Sequence, residues 1–360
     1  MRKNYFKIVA VVLTMSLFLT ACGGEDSKSE KKAEVTKEAV AVTPEATEEA
    51  EPTPEPTEAP EERKPWITEI NHYVMCPDVA AYFPTDEASM QAFKNAIDGI
   101  IAHESSIKLT DDWDTNLVIW GAMDESPYYF VVESADLSAD HTTLEVTYKY
   151  DADEITEMVN YIDESYLEIL NECITEDMSE LEKVLSIYHY FANRISYDYE
   201  WYYDLLDTPA DEKFAVPDIV VYDALKTNYG VCHSYTYLCQ FAFQQIGIEC
   251  LRVYAATTDE TDSHMWPVVR IDGVYYNIDP TWDSNGDGTV GLKYFGMTDY
   301  EATTARNFVD YHASIDATYG EFACEDIRFE DWRDVVDFTM NYDGTITVTR
   351  EDGTEEVIDL

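Results

Sequence analysis

The stretch SHMWPVVRIDGVYYNIDPTWD, Ser263 to Asp283, decides most about the fold of this 360-residue chain. It contains two β-like runs, His264 to Ile271 and Val274 to Asp279, separated by Asp272-Gly273. An Asp-Gly pair between two such runs is a strong signal for a two-residue hairpin turn. The stretch therefore predicts an antiparallel hairpin.

The hairpin register brings an imidazole and a carboxylate together. With Asp272-Gly273 as the turn, His264 and Asp279 fall on one face of the sheet as diagonal neighbours. Diagonal Cα atoms lie ~7–8 Å apart, which allows an imidazole–carboxylate hydrogen bond. A shift of one residue would move the two side chains to opposite faces. The carboxylate would then fix the tautomer of the imidazole and stabilise its protonated form.

A cysteine lies at the start of a predicted helix that precedes the hairpin in the sequence. The block YGVCHSYTYL predicts a helix that begins at Cys232 and runs to about Gln245, and Gly247 ends it. Backbone N–H groups and the dipole at a helix start favour a thiolate, and a protonated His264 nearby would favour it further. The same N–H groups could hold an oxyanion, with the Tyr197 hydroxyl as a candidate side-chain donor. Cysteine, histidine and aspartate in this order are the parts of a nucleophilic site.

Several segments together resemble the transglutaminase-like superfamily of papain-type cysteine enzymes. The resemblance covers about Met178 to His312 and includes Ser234, at a position where many members carry glycine. It rests on these pieces: EKVLSIYHYFANRISYDYEW, YGVCHSYTYL through GIECLRVYA, HMW followed by the Asp-Gly hairpin, DPTWD, and KYFGMTD.

The resemblance implies a role for each site residue. Cys232 would be the nucleophile, His264 the general base and acid, and Asp279 the orienting carboxylate. Trp266 and Trp282 would be packing residues beside the site.

The implied reaction starts from a peptide or side-chain amide and passes through an acyl-enzyme on cysteine. Water as acceptor gives hydrolysis, which we favour, and a lysine amine gives a crosslink. The alternative from another class is a non-catalytic surface protein that keeps the fold and binds its partner without chemistry.

The N-terminus reads as a targeting segment followed by a tether. Residues 1–22 combine a basic start with a short apolar run and end in Leu-Thr-Ala-Cys, which resembles the bacterial lipoprotein box with Cys22 as the lipidated residue. Residues 23–64 are rich in Glu, Pro and Thr and lack aromatics, so we expect a disordered acidic linker. The chain is thus predicted to be a cell-membrane lipoprotein on the extracytoplasmic face.

The remaining residues predict an α+β fold in three regions. Residues 65–150 form an N-terminal α+β region, 151–312 a transglutaminase-like core with the nucleophile helix packed on an antiparallel sheet, and 313–360 a small β extension. The local predictions are a helix over Asp86–Glu104, strands over Tyr128–Ser134 and Thr142–Asp151, helices over 153–173 and from the Ser179 N-cap with Glu182 in a capping box, strands over Cys250–Thr257, His264–Ile271 and Val274–Asp279, a short helix over Tyr300–Phe308, and C-terminal strands with turns at Asp343-Gly344 and Asp352-Gly353.

The net charge and the spacing of the cysteines restrict the classes of partner that the protein can bind. The formal net charge is −50, with 23 basic against 73 acidic residues, which argues against nucleic acid as a partner. We expect a protein or peptide substrate, and the membrane only through Cys22. The seven cysteines lack C-x-x-C spacing and no His pair falls at i, i+4, so the sequence predicts no metal site. We also expect no cofactor, and one or two disulfides stay possible. The sequence Asp283-x-Asn285-x-Asp287-Gly288 resembles the start of an EF-hand calcium loop, but we predict a β-turn loop there.

Overall fold

In the computed structural model the described residues are 65–75, 86–111, 126–207, 221–257, 263–308 and 322–360. Residues 1–64 lie outside them, so the predictions for the targeting segment, Cys22 and the linker fall on residues that are not described.

The N-terminal region packs a helix on a small antiparallel sheet in the strand order β1-β3-β2. Its elements are α1 (Glu87–Ile101), β1 (Ser106–Lys108), β2 (Val132–Leu137) and β3 (Thr143–Tyr148). Asp86 caps α1 by accepting the N–H groups of Ala88 and Ser89, which explains where the helix begins.

One predicted strand begins later than expected. Tyr128 was predicted to open a strand, but a 3₁₀ turn covers Tyr129–Val131 and β2 starts at Val132. The reason is tertiary, because the ring of Tyr128 is fully buried and its hydroxyl donates to Asp163 at 2.5 Å.

Helices then lead towards the core sheet. They are α2 (Ala152–Cys173), α3 (Glu180–Arg194), α4 (Tyr199–Asp207), α5 (Val221–Thr227) and α6 (Cys232–Gln245), with a short parallel pair of β4 (Ser196–Tyr197) and β5 (Tyr229–Gly230) between them. The predicted capping box is present at α3, where Ser179 and Glu182 exchange hydrogen bonds with each other's backbone N–H groups.

The core sheet has the order β6-β7-β8 and is antiparallel throughout. Its strands are β6 (Cys250–Ala256), β7 (Ser263–Ile271) and β8 (Val274–Asn277). Ile271 pairs with Val274 across Asp272-Gly273, so the predicted turn and register are confirmed. Strand β8 ends two residues before Asp279, which instead caps the short helix α7 (Pro280–Asp283).

The two faces of this sheet have different neighbours. The face with Val269, Ile271 and Tyr276 joins the main core together with α6. The face with Trp266 and Val268 joins a second cluster that includes residues from 297 to 324. The predicted helix near Tyr300–Phe308 consists of α8 (Asp299–Ala302) and a 3₁₀ turn (Thr304–Arg306).

The C-terminal end is a three-stranded antiparallel sheet, as predicted. Strands β9 (Val335–Met340), β10 (Thr345–Arg350) and β11 (Glu355–Asp359) pair in the order β11-β10-β9. Its buried residues Phe338, Ile346 and Val348 belong to the same cluster as those of the N-terminal region. The described residues between Trp66 and Leu360 accordingly belong to one compact unit.

Within the described residues, no helix combines the length and apolarity needed to cross a bilayer.

Candidate active site

Cys232 is the first residue of α6. It is partly exposed, whereas Cys173, Cys239, Cys250 and Cys324 are buried, and none of these five described cysteines is in a disulfide bond. The two residues before the helix are tightly placed, because Val231 donates its N–H to the Ser234 hydroxyl at 3.2 Å. A thiol at the first position of a helix lies where unpaired N–H groups create a positive potential.

His264 joins the thiol to the carboxylate. Its Nε2 lies 2.7 Å from Asp279 Oδ2, and its side chain also hydrogen-bonds with Cys232. The two side chains thus meet as predicted, although β8 ends at Asn277 and Asp279 reaches His264 from the start of α7. His264 and Asp279 are 1% and 0% exposed, so bulk water does not screen this contact.

The electrostatics of the pair favour its charged form. Burial alone would lower the pKa of His264, but the charge and hydrogen bond of Asp279, together with Cys232, raise it to about 9. Burial works to raise the pKa of Asp279, but the charges of His264 and Arg306 and their hydrogen bonds hold it below its usual range. At neutral pH the imidazole is therefore protonated and faces an ionised carboxylate.

Aromatic rings enclose the imidazole. Trp266, Trp282 and Phe308 stack on His264 with ring centroids 5.7, 5.2 and 5.8 Å away. Trp266 is fixed in turn, because its indole N–H donates to Asn277 Oδ1 at 2.8 Å. The two tryptophans named from the sequence are therefore in direct contact with His264, and Phe308 is a third ring that the sequence reading did not identify.

Sequence reasoning also missed Arg306. Its Nη2 lies 2.6 Å from Asp279 Oδ2, the same oxygen that bonds His264, and its side chain is 5% exposed. It follows Asp279 by 27 residues, and only the tertiary fold brings the two together. A lone basic residue in so acidic a chain is a weak signal, and no local spacing marks it.

A second buried carboxylate lies one helical turn from the site. Asp283 Oδ2 accepts from the Tyr188 hydroxyl at 2.6 Å and from the Tyr294 N–H at 3.0 Å. Burial raises the pKa of Asp283 to about 7 in spite of these hydrogen bonds. The loop after it turns as the sequence predicts, since Asn285 donates its N–H to the Thr289 carbonyl, and Asp283 itself links α3 to the loop that follows α7.

Tyr197 lies in β4, where it pairs with Gly230 two residues before the nucleophile. Its ring contacts those of Tyr199 and Tyr202. These contacts place the residue near the start of α6, and its role as an oxyanion donor stays a prediction.

In the part of the chain that the structure describes, His, Cys, Asp and Glu side chains form no group of three or more that could hold a metal ion. The chemistry that the described arrangement can perform is nucleophilic. A partly exposed thiol lies at the start of a helix and hydrogen-bonds a protonated imidazole, which in turn hydrogen-bonds an ionised carboxylate.

Residues 168–280 match the family model of the transglutaminase-like superfamily. The chain thus contains a segment that is similar in sequence to the core of this superfamily. This stretch includes α3, the nucleophile helix and the whole hairpin, so it contains Cys232, His264 and Asp279.

Solved structures with some likeness to this chain include a TGase and a candidate cysteine protease from Cytophaga hutchinsonii. The TGase is 18% identical, with a TM-score of 0.30 over 43% of this chain and 46% of that one. The Cytophaga hutchinsonii protein is 15% identical, with a TM-score of 0.24 over 39% of this chain and 46% of that one. The chain thus spans less than half the length of either structure. No curated protein matches the sequence.

Proposed function

We propose that this protein is a cysteine enzyme that cleaves peptide or side-chain amides through an acyl-enzyme on Cys232. The single observation that carries the proposal is the position of His264, which bonds Asp279 at 2.7 Å and also bonds the Cys232 side chain. A histidine held this way can both pair with a thiolate and deliver a proton.

The reaction follows from these contacts. The Cys232 thiolate attacks the amide carbonyl carbon, a C–S bond forms, and the negative charge moves to the carbonyl oxygen. The backbone N–H groups at the start of α6, where Cys232 lies, would donate hydrogen bonds to that oxygen. The His264 imidazolium then protonates the amide nitrogen, the C–N bond breaks and the amine leaves, which produces a thioester and a neutral imidazole.

The second half-reaction consumes the thioester. His264 takes a proton from water, the oxygen attacks the thioester carbon, and the C–S bond breaks to give a carboxylic acid and the Cys232 thiolate with its imidazolium partner. A lysine amine in place of water would give a new amide. We favour water as the acceptor, because Cys232 is partly exposed and solvent can reach the thioester.

The test combines a peptide mixture with a labelled primary amine. We expect the wild-type protein to release new termini or convert glutamine to glutamate with little amine incorporation, and Cys232→Ala to do neither. If the protein incorporates more amine than it hydrolyses, it would instead be an enzyme that transfers the acyl group to amines. If the wild-type protein turns over no substrate but binds a protein partner, and Cys232→Ala binds that partner with the same affinity, the result would support the non-catalytic binding protein.

The place of action is a further part of the proposal. The Leu-Thr-Ala-Cys sequence at Cys22 supports a lipid anchor that holds the enzyme on the extracytoplasmic face of the membrane. Cys22→Ser should move the protein from the membrane fraction to the soluble fraction without loss of hydrolysis. A protein that is soluble before the substitution would contradict the anchor alone.

A further inference from the structure

A buried arginine shares the carboxylate of the candidate site. Arg306 ends the 3₁₀ turn Thr304–Arg306, and its Nη2 lies 2.6 Å from Asp279 Oδ2. The other oxygen of Asp279 accepts the Trp282 N–H at 3.3 Å. The carboxylate is therefore held from three directions, by His264, by Arg306 and by the start of α7.

The guanidinium lies among aromatic rings. Its central carbon is 3.8 Å from the centroid of Trp282, and further rings surround it at longer distances: Trp266 at 4.9 Å, Phe308 at 5.2 Å and Tyr294 at 5.5 Å. Three of these rings also stack on His264. A planar cation stacks on such rings, which the compact ammonium of lysine does not do equally well.

This placement leaves a polar group without a partner. The Arg306 Nε–H is buried and has no hydrogen-bond partner among the described residues. An unpaired buried donor is unfavourable, and such groups in native proteins call for an explanation. Here the side chain is oriented towards Asp279 at the expense of its own Nε–H.

The charges of the site then balance. An ionised site contains the Cys232 thiolate and the Asp279 carboxylate against the His264 imidazolium, so without Arg306 it carries one net negative charge. Burying an uncompensated charge is strongly unfavourable. With Arg306 the site is neutral both before and after the proton moves from Cys232 to His264.

We propose that Arg306 is a positioning residue of this active site, which fixes the Asp279 carboxylate and neutralises its charge so that the Cys232–His264 ion pair forms. The proposal rests on the proposed function. It concerns a residue 26 positions beyond the end of the family match at residue 280.

Other ionisable groups face the same carboxylate. Asp283 lies on α7, and burial raises its pKa to about 7. The phenols of Tyr188 and Tyr294 have pKa values raised by burial, so they stay neutral below pH 9. Asp283 is therefore the group that ionises within the pH range of the measurement. The variant Asp283→Asn is neutral at every pH, so the effect of Arg306 is measured in this background.

The test measures the rate of Cys232 alkylation by iodoacetamide between pH 4 and 10, with mass spectrometry of the peptide that carries this residue. Arg306→Met removes the charge and keeps much of the length, and Arg306→Lys keeps the charge. We expect Arg306→Met to raise the midpoint of the profile by about one pH unit, which is a tenfold loss of thiolate, and Arg306→Lys to restore part of it. Arg350 pairs with Asp334 and Glu356 far along the chain, so Arg350→Met is the matched control and should leave the profile unchanged.

A double-mutant cycle separates positioning from general stability. If Arg306 acts through Asp279, the shift caused by Arg306→Met should disappear in the Asp279→Asn background. The same shift in both backgrounds, or a folded Arg306→Met protein with the wild-type profile, would overturn the proposal. If Arg306→Met does not fold, the midpoint of Arg306→Lys distinguishes the two roles. A positioning role predicts a midpoint between those of the wild type and an ordinary thiol, whereas a pure stability role predicts the wild-type midpoint for a lysine variant that folds. A wild-type midpoint near that of an ordinary thiol, about pH 8.5, would instead refute the proposed function itself.

Discussion

Asp279 is the residue on which most of the site depends, because it binds His264, Arg306 and the Trp282 N–H at once. Its fully buried carboxylate is ionised only because two cations face it. A charge held in this way stabilises an imidazolium more strongly than an exposed carboxylate does, since water does not screen it.

The neighbouring Asp283 yields a prediction about stability. The pKa of Asp283 is raised from its ordinary value of 3.8 to about 7 in the folded protein. Its contribution to stability is therefore fully present below about pH 4 and is lost as the pH rises through 7, since the folded state must then bury a charge. One pKa unit corresponds to 1.36 kcal/mol, so the loss is on the order of 4 kcal/mol.

Asp283→Asn should remove this loss. The asparagine carbonyl can still accept from both Tyr188 and Tyr294, because a single oxygen, Oδ2, accepts both bonds in the native protein. Urea unfolding at pH 5 and pH 8 measures the effect, with wild type losing more stability than the variant over that interval. Equal losses in the two proteins would show that Asp283 is ionised throughout.

At the residue scale, the sequence predicted the contacts that follow from register. His264 and Asp279 could be paired because a two-residue turn fixes which residues share a face. Arg306 and Tyr188 could not be placed, since their contacts with Asp279 and Asp283 join distant segments through the tertiary fold.

At the scale of elements, the start of the nucleophile helix is the most tightly specified junction. A Cβ added at Gly230 would lie 2.6 Å from Ser234 Cβ and 2.9 Å from its Oγ. Ser234 is fully buried, and its hydroxyl accepts the Val231 N–H, so it has little freedom to move. The serine found where many superfamily members carry glycine thus stabilises the residues just before Cys232.

Gly230→Ala should destabilise the protein by about 1–3 kcal/mol, the usual cost of forcing an extra carbon into a packed site. Ser234→Gly removes the atoms that clash, so the double variant should lose less stability than the two single losses combined. Urea unfolding of the four proteins completes the cycle. Strict additivity would mean that the two residues do not contact each other in solution.

Helices with clear caps and strands with clear turns were predicted well, and elements that depend on tertiary contacts were not. The bounds of α6 match the prediction, because a glycine at a positive φ of 79° ends it at Gly247. The predicted strand at Tyr128 failed because the burial of this ring favours a 3₁₀ turn.

At the scale of the whole molecule, one hydrophobic cluster joins regions that the sequence divides into three. Its members include Ala96 of α1, Tyr276 of the hairpin and Phe338 of β9. Phe338 also packs its ring on His189 of α3, at a centroid distance of 5.0 Å. The C-terminal sheet is thus packed against the core.

Phe338→Ala should therefore destabilise the whole folded unit by about 3–5 kcal/mol, the usual cost of deleting a buried aromatic ring. Far-UV circular dichroism and tryptophan fluorescence should report one coincident transition at a lower urea concentration. Tyr342→Ala, at a mostly exposed position in the turn between β9 and β10, is the control and should leave the midpoint nearly unchanged. Two separate transitions in Phe338→Ala would mean that the C-terminal sheet folds independently.

The rate of Cys232 alkylation by iodoacetamide against pH, in the wild-type protein and in His264→Ala, decides whether Cys232 and His264 form a reactive pair. The His264–Asp279 contact predicts a thiolate that persists well below pH 8.5 in the wild type, and an ordinary thiol profile with a midpoint near about pH 8.5 after His264 is removed. The same profile, with a midpoint near about pH 8.5 in both proteins, would contradict the claim that Cys232 and His264 form an active site.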